Sequence, residues 1–152
     1  MQKITPNLWF DGNADEAVDF YVSLFPNSSV LSKERYPDSV EDGLADFQRE
    51  LAGKTLVVDF ELNGVRFAAI NAGPEFTFNE SVSFAIQCKD QEEIDYYWEA
   101  LSSVPDSEQC GWCKDRFGLS WQVVPENIAE LMKRPQAYAH MMQMKKLVIS
   151  DL

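Results

Sequence analysis

The chain is short of positive charge, histidine and cysteine, and each shortage removes a class of function. Its 152 residues hold 13 Lys and Arg against 25 Asp and Glu, a formal charge of −12. Phosphate backbones are bound through clustered cations, so no nucleic-acid partner is expected. The single histidine, His140, sits in Ala139-His140-Met141-Met142 of an amphipathic tail, a setting for packing or surface rather than ligation. Three cysteines, Cys88, Cys110 and Cys113, are an odd number for a disulfide framework. Cys110-Gly-Trp-Cys113 has CxxC spacing, but a turn follows it where redox chemistry wants a helix N-terminus, and zinc would want a second ligand pair. Structural or incidental thiols are expected. No apolar run exceeds strand length, and Met1-Gln2-Lys3 leads straight into a strand rather than into a signal-peptide core. The expectation is a soluble cytoplasmic protein with no membrane partner.

What the chain has is 45% hydrophobic residues, enough for one core, and an internal echo. Asp15 to Tyr21 (DEAVDFY) returns as Gln91 to Tyr97 (QEEIDYY), 76 residues on. The match extends upstream without a gap, setting Asn7-Leu8-Trp9-Phe10 over Ser83-Phe84-Ala85-Ile86. Strand, turn and helix align together, which points to a duplicated fold.

Element signals run in order. Ile4 to Phe10 reads as a strand that Pro6 either places at an edge or leaves unpaired on one side. A helix follows from near Asn13 to about Phe25, with Ala17, Val18, Tyr21, Leu24 and Phe25 on its apolar stripe. Ser29 to Tyr36 is a poorly patterned strand, and Pro37 to Ala52 an acidic, mobile loop with a short helical turn. Thr55 to Leu62 alternates cleanly and joins Val65 to Asn71 through the hairpin turn Asn63-Gly64. The second half opens with a strand over 82–88 and a helix over 91–101 capped by Asp90, with Ile94, Tyr97, Trp98 and Leu101 inward. Gly111 to Cys113 and Leu119 to Val124 make a hairpin around Asp115 to Gly118, and Pro135 separates two helical stretches in the tail.

The stretches NLWFDGNADEAVDFY, FELNGVRFAAINAGPEF, CKDQEEIDYYWEAL and CGWCKDRFGLSWQVVP resemble the PhnB-like group, long labelled demethylubiquinone methyltransferase-like. This group belongs to the vicinal oxygen chelate superfamily of glyoxalase, bleomycin resistance and dioxygenase proteins. The resemblance covers nearly the whole chain. It implies an α+β fold of tandem βαβββ modules, with curved mixed sheets around a cleft and C-terminal helices. The halves would be 1–73 and 74–125, followed by a helical tail over 126–152, all in one domain. No glycine-rich strand-to-helix turn is present to hold a nucleotide cofactor, so none is expected.

The resemblance also implies that one side of each sheet packs on the helix and the other lines the cleft. Leu8, Phe10, Phe84 and Ile86 would then pack, as would Trp121 and Val123. Asn7, Trp9, Asp59, Glu61, Asn71, Ser83, Gln87 and Gln122 would face a ligand, with Ser120 beside them and Phe76 adding aromatic area. Metal-dependent relatives carry His, Gln or Glu where this chain has Thr5 to Asn7, Ser83, a residue near Asn71, and Gln122. Hydroxyls and neutral amides are poor partners for a transition ion, so no metal is expected. Small-molecule binding with a degenerate metal site is the first expectation. A metal-assisted lyase, isomerase or dioxygenase using Asp59 or Glu61 is the second, although a solvated strand face accounts for those carboxylates equally well. A dimeric interaction module, with the Met-rich tail as contact surface, is the third, and the resemblance implies a homodimer.

Overall fold

Pro6 has no N–H to give a sheet, and the first strand begins directly after it as β1 (Asn7–Asp11). In the computed structural model, which describes residues 2–152, the chain divides into a unit running to Thr77 and a unit spanning Phe78–Leu152. The first unit continues with α1 (Ala14–Leu24), β2 (Ser29–Arg35), β3 (Thr55–Leu62) and β4 (Val65–Ala72). Its sheet has the order β1-β4-β3-β2, with β1 parallel to β4 and the other neighbours antiparallel. The edge position expected of the first strand holds. Asn63 and Gly64 take φ values of 46° and 83°, the two positive angles that a tight hairpin of this hand requires.

Strand alternation makes the core of this unit. Leu8, Phe10, Val58, Phe60 and Leu62 are buried on the side where α1 lays Ala14, Ala17, Val18, Tyr21 and Leu24. Val18 and Phe60 are almost fully buried, each worth roughly 1.5–3 kcal/mol of transfer free energy. Phe25, expected on the stripe, is only half-buried because the helix ends one residue earlier. The acidic segment after β2 is anchored by buried Tyr36 and Leu44 and carries one 3-10 turn, Asp46–Leu51.

The second unit contains β5 (Ser83–Cys88), α2 (Gln91–Leu101), β6 (Trp112–Lys114), β7 (Ser120–Pro125), α3 (Ile128–Leu131) and α4 (Ala137–Met142). The order β5-β7-β6, with β5 parallel to β7, reproduces β1-β4-β3 of the first unit. The second module has three strands where four were expected. The segment that would supply the fourth holds Pro105, which lacks an N–H, and forms a 3-10 turn, Pro105–Ser107; Gln109 makes only an isolated bridge to Trp112. Strand faces repeat at 76 residues, but α1 and α2 begin 77 residues apart, because β5 carries one more residue, Cys88, than β1.

Asp90 caps α2 as expected, accepting from the Glu93 N–H at 2.9 Å, and Ile94, Tyr97, Trp98 and Leu101 are its buried stripe. The tail belongs to this unit's core. Leu131, Ala137 and Leu147 are buried, the Gln91 side chain brackets Leu147 and Ile149 with two hydrogen bonds, and Lys146 pairs with Asp95 at 2.8 Å. Among the described residues, no helix is long and apolar enough to cross a membrane.

Candidate functional site

Each sheet has one face under a helix and one without, and the helix-free faces carry most of the residues expected to meet a ligand. In the first unit, Asn7, Ala68, Asp59 and Ser32 form one cross-strand row, and Trp9, Ile70, Val57 and Glu34 the next. Trp9 is half-buried. Its indole N–H donates to the Gly73 carbonyl at 2.9 Å, and its ring meets that of Phe76 edge to face at 4.9 Å. The expected aromatic surface is therefore assembled, with Phe76 itself mostly exposed. Asp59 accepts from the Ser32 hydroxyl at 3.0 Å, and Glu61 lies opposite Arg66. Asn7 is exposed and turns back to its own strand, its amide donating to the Thr5 carbonyl.

Asn71 lies on the other face. It was expected in the cleft, but the register pairs it with Phe10 and gives it the parity of Phe67 and Ala69, on the helix side. It is 4% exposed, accepts from the Ala14 N–H at 3.1 Å and donates to the Thr55 carbonyl at 3.0 Å. Asn13 makes no side-chain cap, so Asn71 satisfies the first turn of α1 from across the sheet. Its carbonyl accepts from Tyr36, whose hydroxyl pKa is raised by burial, with Glu75 adding to the shift. The first-unit residue at the register position of Gln122 is Ile70, paired with Trp9 as Gln122 is paired with Ala85.

In the second unit the helix-free rows are Ser83, Ser120 and Lys114, then Ala85, Gln122 and Trp112. The Gln122 amide donates to the Ser83 hydroxyl at 2.9 Å. Lys114 forms an ion pair with Glu80, and that hydrogen bond holds the Glu80 carboxyl below its ordinary range. Ser120 is 1% exposed and its hydroxyl has no hydrogen-bond partner. Gln87 is exposed, paired with Val124. Lys114, Trp112 and Glu80 were not singled out from the sequence. The signal was available in the hairpin, since residues of one parity on β6 share the face of Gln122.

The turn that sets this register is organised by Asp115. One carboxylate oxygen accepts from the Phe117 and Leu119 N–H groups at 2.9 and 3.1 Å, and the other from the Trp121 indole at 2.9 Å. Gly118 takes φ +92°, which a side chain would strain. The DRFGLSWQ motif is therefore a folding device as well as a family mark. Cys88 and Cys113 are buried, and burial pushes both thiols up to about 12, while burial also raises Cys110. All three are free thiols.

The residues do not fit a transition-metal centre. Ser83 and Gln122 bond to each other, Asn71 is committed to the α1 cap, and Ile70 offers no donor. Among the described residues no three His, Cys, Asp or Glu side chains gather as a ligand set. A hollow of about 270 Å³ lies at the start of α2, lined by Lys89, Asp90, Glu92, Glu93 and Tyr96, and shares no residue with the sheets. Convergent polar and aromatic groups, rather than volume, make the helix-free faces the better candidate.

This topology, two βαβ modules each with a parallel first and last strand, is that of the glyoxalase, bleomycin resistance and dioxygenase fold. Within it, residues 2–124 match the family model described as 3-demethylubiquinone-9 3-methyltransferase, and the chain belongs to that family. The chain is 35% identical to a PhnB protein of Bacillus cereus, described as a putative 3-demethylubiquinone-9 3-methyltransferase, over 81% of this chain and 99% of that one, with a TM-score of 0.63. A Pseudomonas aeruginosa protein matches at 19% identity over 82% of this chain and 98% of that one, with a TM-score of 0.60, a likeness of fold. None of the curated proteins matches the chain.

Proposed function

We propose that this PhnB-like protein binds a small organic molecule on the helix-free faces of its sheets, without a transition ion held by those residues. The observation that carries the reading is the state of Trp9: half-buried on a helix-free face, fixed by its bond to Gly73 and braced by Phe76. A fixed aromatic plane offers contact area at little entropic cost, and on the second unit's own face the Gln122–Ser83 pair offers directional polar contacts. Trp9, Asp59 and Glu61 on the first sheet, and Ser83 and Gln122 on the second, are the half-buried ligand-facing residues of their own units; Asn7 and Gln87 are exposed. Methyl transfer, named in the family description, draws no support from the turns into α1 and α2, Gly12-Asn13 and Lys89-Asp90, which are not glycine-rich.

A homodimer in the cytoplasm belongs to the same proposal. It is supported by β2, an edge strand exposed along its whole length with one side unpaired, which a second copy could extend. Sedimentation of the full chain tests it, and a monomer at tens of micromolar rejects the dimer without touching the binding reading.

The binding reading is tested by native mass spectrometry of protein purified without denaturation, alongside Trp9→Ala. The expected result is a co-purifying organic mass on the wild type that is reduced on the variant. Equal occupancy on both, with the variant folded, rejects the assigned face.

A further inference from the structure

Lys114 is the only charged residue in the three strands of the second sheet. It stands on the helix-free face directly opposite Ser120, which stands opposite Ser83. Three features of this row call for a ligand. The Ser120 hydroxyl is buried with no partner, a state native proteins rarely leave without a reason. Ser83 accepts from Gln122, which leaves its own hydroxyl proton available to donate. The Lys114 ammonium, with 22% of its side chain exposed, is met by one carboxylate, that of Glu80, whose side chain is 57% exposed on the segment before β5. A carboxylate thus already occupies the place, and it comes from the residue best able to leave.

We propose that Lys114, Ser120, Ser83 and Gln122 form a carboxylate-binding subsite, and that Glu80 is its internal stand-in, displaced when a ligand carboxylate arrives. This deepens the small-molecule reading and rests on it. Lys114 supplies the charge, the Ser120 and Ser83 hydroxyls donate to the carboxylate oxygens, and Gln122 holds Ser83 in place. Two residues along β6 on the same face, about 7 Å away, Trp112 is half-buried and offers a flat apolar wall. The chemistry fits a small aromatic or planar monocarboxylate, its charged end on Lys114 and its body against Trp112.

An internal competitor lowers apparent affinity by the fraction of time that it occupies the cation. Partly exposed ion pairs are weakly closed, so freeing Lys114 should tighten binding roughly two- to six-fold. The test is a titration of the full-length, 15N-labelled chain with sodium benzoate and, separately, with neutral benzamide, at constant ionic strength, following backbone amides by NMR. Benzoate is expected to move the Ser83, Lys114 and Ser120 signals and to bind at least ten-fold more tightly than benzamide. Glu80→Gln should tighten benzoate two- to six-fold, while Lys114→Gln should weaken it at least ten-fold. If Glu80→Gln fails to tighten benzoate, or Lys114→Gln binds it as the wild type does, the subsite is overturned. If both probes move the helix-free amides equally, the subsite falls and the small-molecule reading stands. If both act only elsewhere, such as at the hollow beside α2, both fall.

Discussion

Replacing Asp115 should unfold the second unit more readily than any surface change, and the size of the effect follows from its donors. Its carboxylate receives the Leu119 N–H and the Trp121 indole, both nearly solvent-free, together with the half-buried Phe117 N–H. A hydrogen bond to a charged acceptor contributes roughly 1.5–3 kcal/mol, and water can replace it only at Phe117. Asp115→Ala therefore costs about 3–6 kcal/mol, a large part of the 5–15 kcal/mol that typically holds a domain together. Asp115→Asn keeps one good acceptor but must point its NH2 at either the indole or the backbone pair, a cost of about 2–3 kcal/mol. In a Trp121→Phe background that conflict is absent, so the Asn change should cost only about 1 kcal/mol, and the difference is the coupling. Urea unfolding followed by far-UV circular dichroism measures all five proteins, the wild type included, with unchanged slopes confirming that stability alone has moved. A loss under about 1 kcal/mol for Asp115→Ala, or equal costs of Asp115→Asn in both backgrounds, would refute the assignment.

Other expectations are as definite. Asn71→Ala should destabilise the first unit by about 1–2 kcal/mol by uncapping α1, and should leave ligand affinity unchanged; a selective loss of binding would return Asn71 to the ligand site. Leu147→Ala, at a fully buried position, should cost about 2–5 kcal/mol, and a chain ending at Pro125 should lose its cooperative unfolding transition; intact folding of the shortened chain would show the tail to be an accessory. Thiol titration with a disulfide reagent at pH 8 should find Cys88 and Cys113 silent until urea is added, since both titrate near 12; labelling of either in the folded chain within minutes contradicts their burial. Lys146 and then Gln91 bond to Asp95 and hold its carboxyl low, so this contribution is complete above the ordinary carboxylate range, about 4, and is lost as pH falls through the lower folded value. Amide exchange of the tail should quicken below that range, and Asp95→Asn should remove the change; an unaltered acid response would assign it to other groups.

Local chemistry made much of the fold legible. Asn63-Gly64 dictates its hairpin because both residues tolerate positive φ, and Asp90 announces α2 because its side chain accepts a first-turn N–H. Alternation along β1 sorted Leu8 and Phe10 from Asn7 and Trp9 correctly. Alternation failed on β4, where Phe67, Ala68 and Ala69 are buried in succession, so polarity no longer reports the face and Asn71 was assigned to the wrong one. The fourth strand of the second unit was implied by the resemblance alone; the polar residues over 102–109 read as a loop, and they form one with a 3-10 turn at Pro105–Ser107. The Lys114 row was the least legible part, because it depends on cross-strand register rather than on any motif. That register is set by a buried aspartate that reads in sequence as an ordinary turn residue.

The proposed function is the binding of an organic ligand by amides, hydroxyls and aromatic rings on the helix-free faces, without a transition ion. Elemental analysis of the wild type and of Gln122→Ala, both purified without chelator from cells supplied with manganese, iron, nickel and zinc, tests it most directly. The expected result is far less than one equivalent of any metal on either protein. One equivalent on the wild type that disappears in Gln122→Ala would contradict the claim and favour the metal-assisted enzyme.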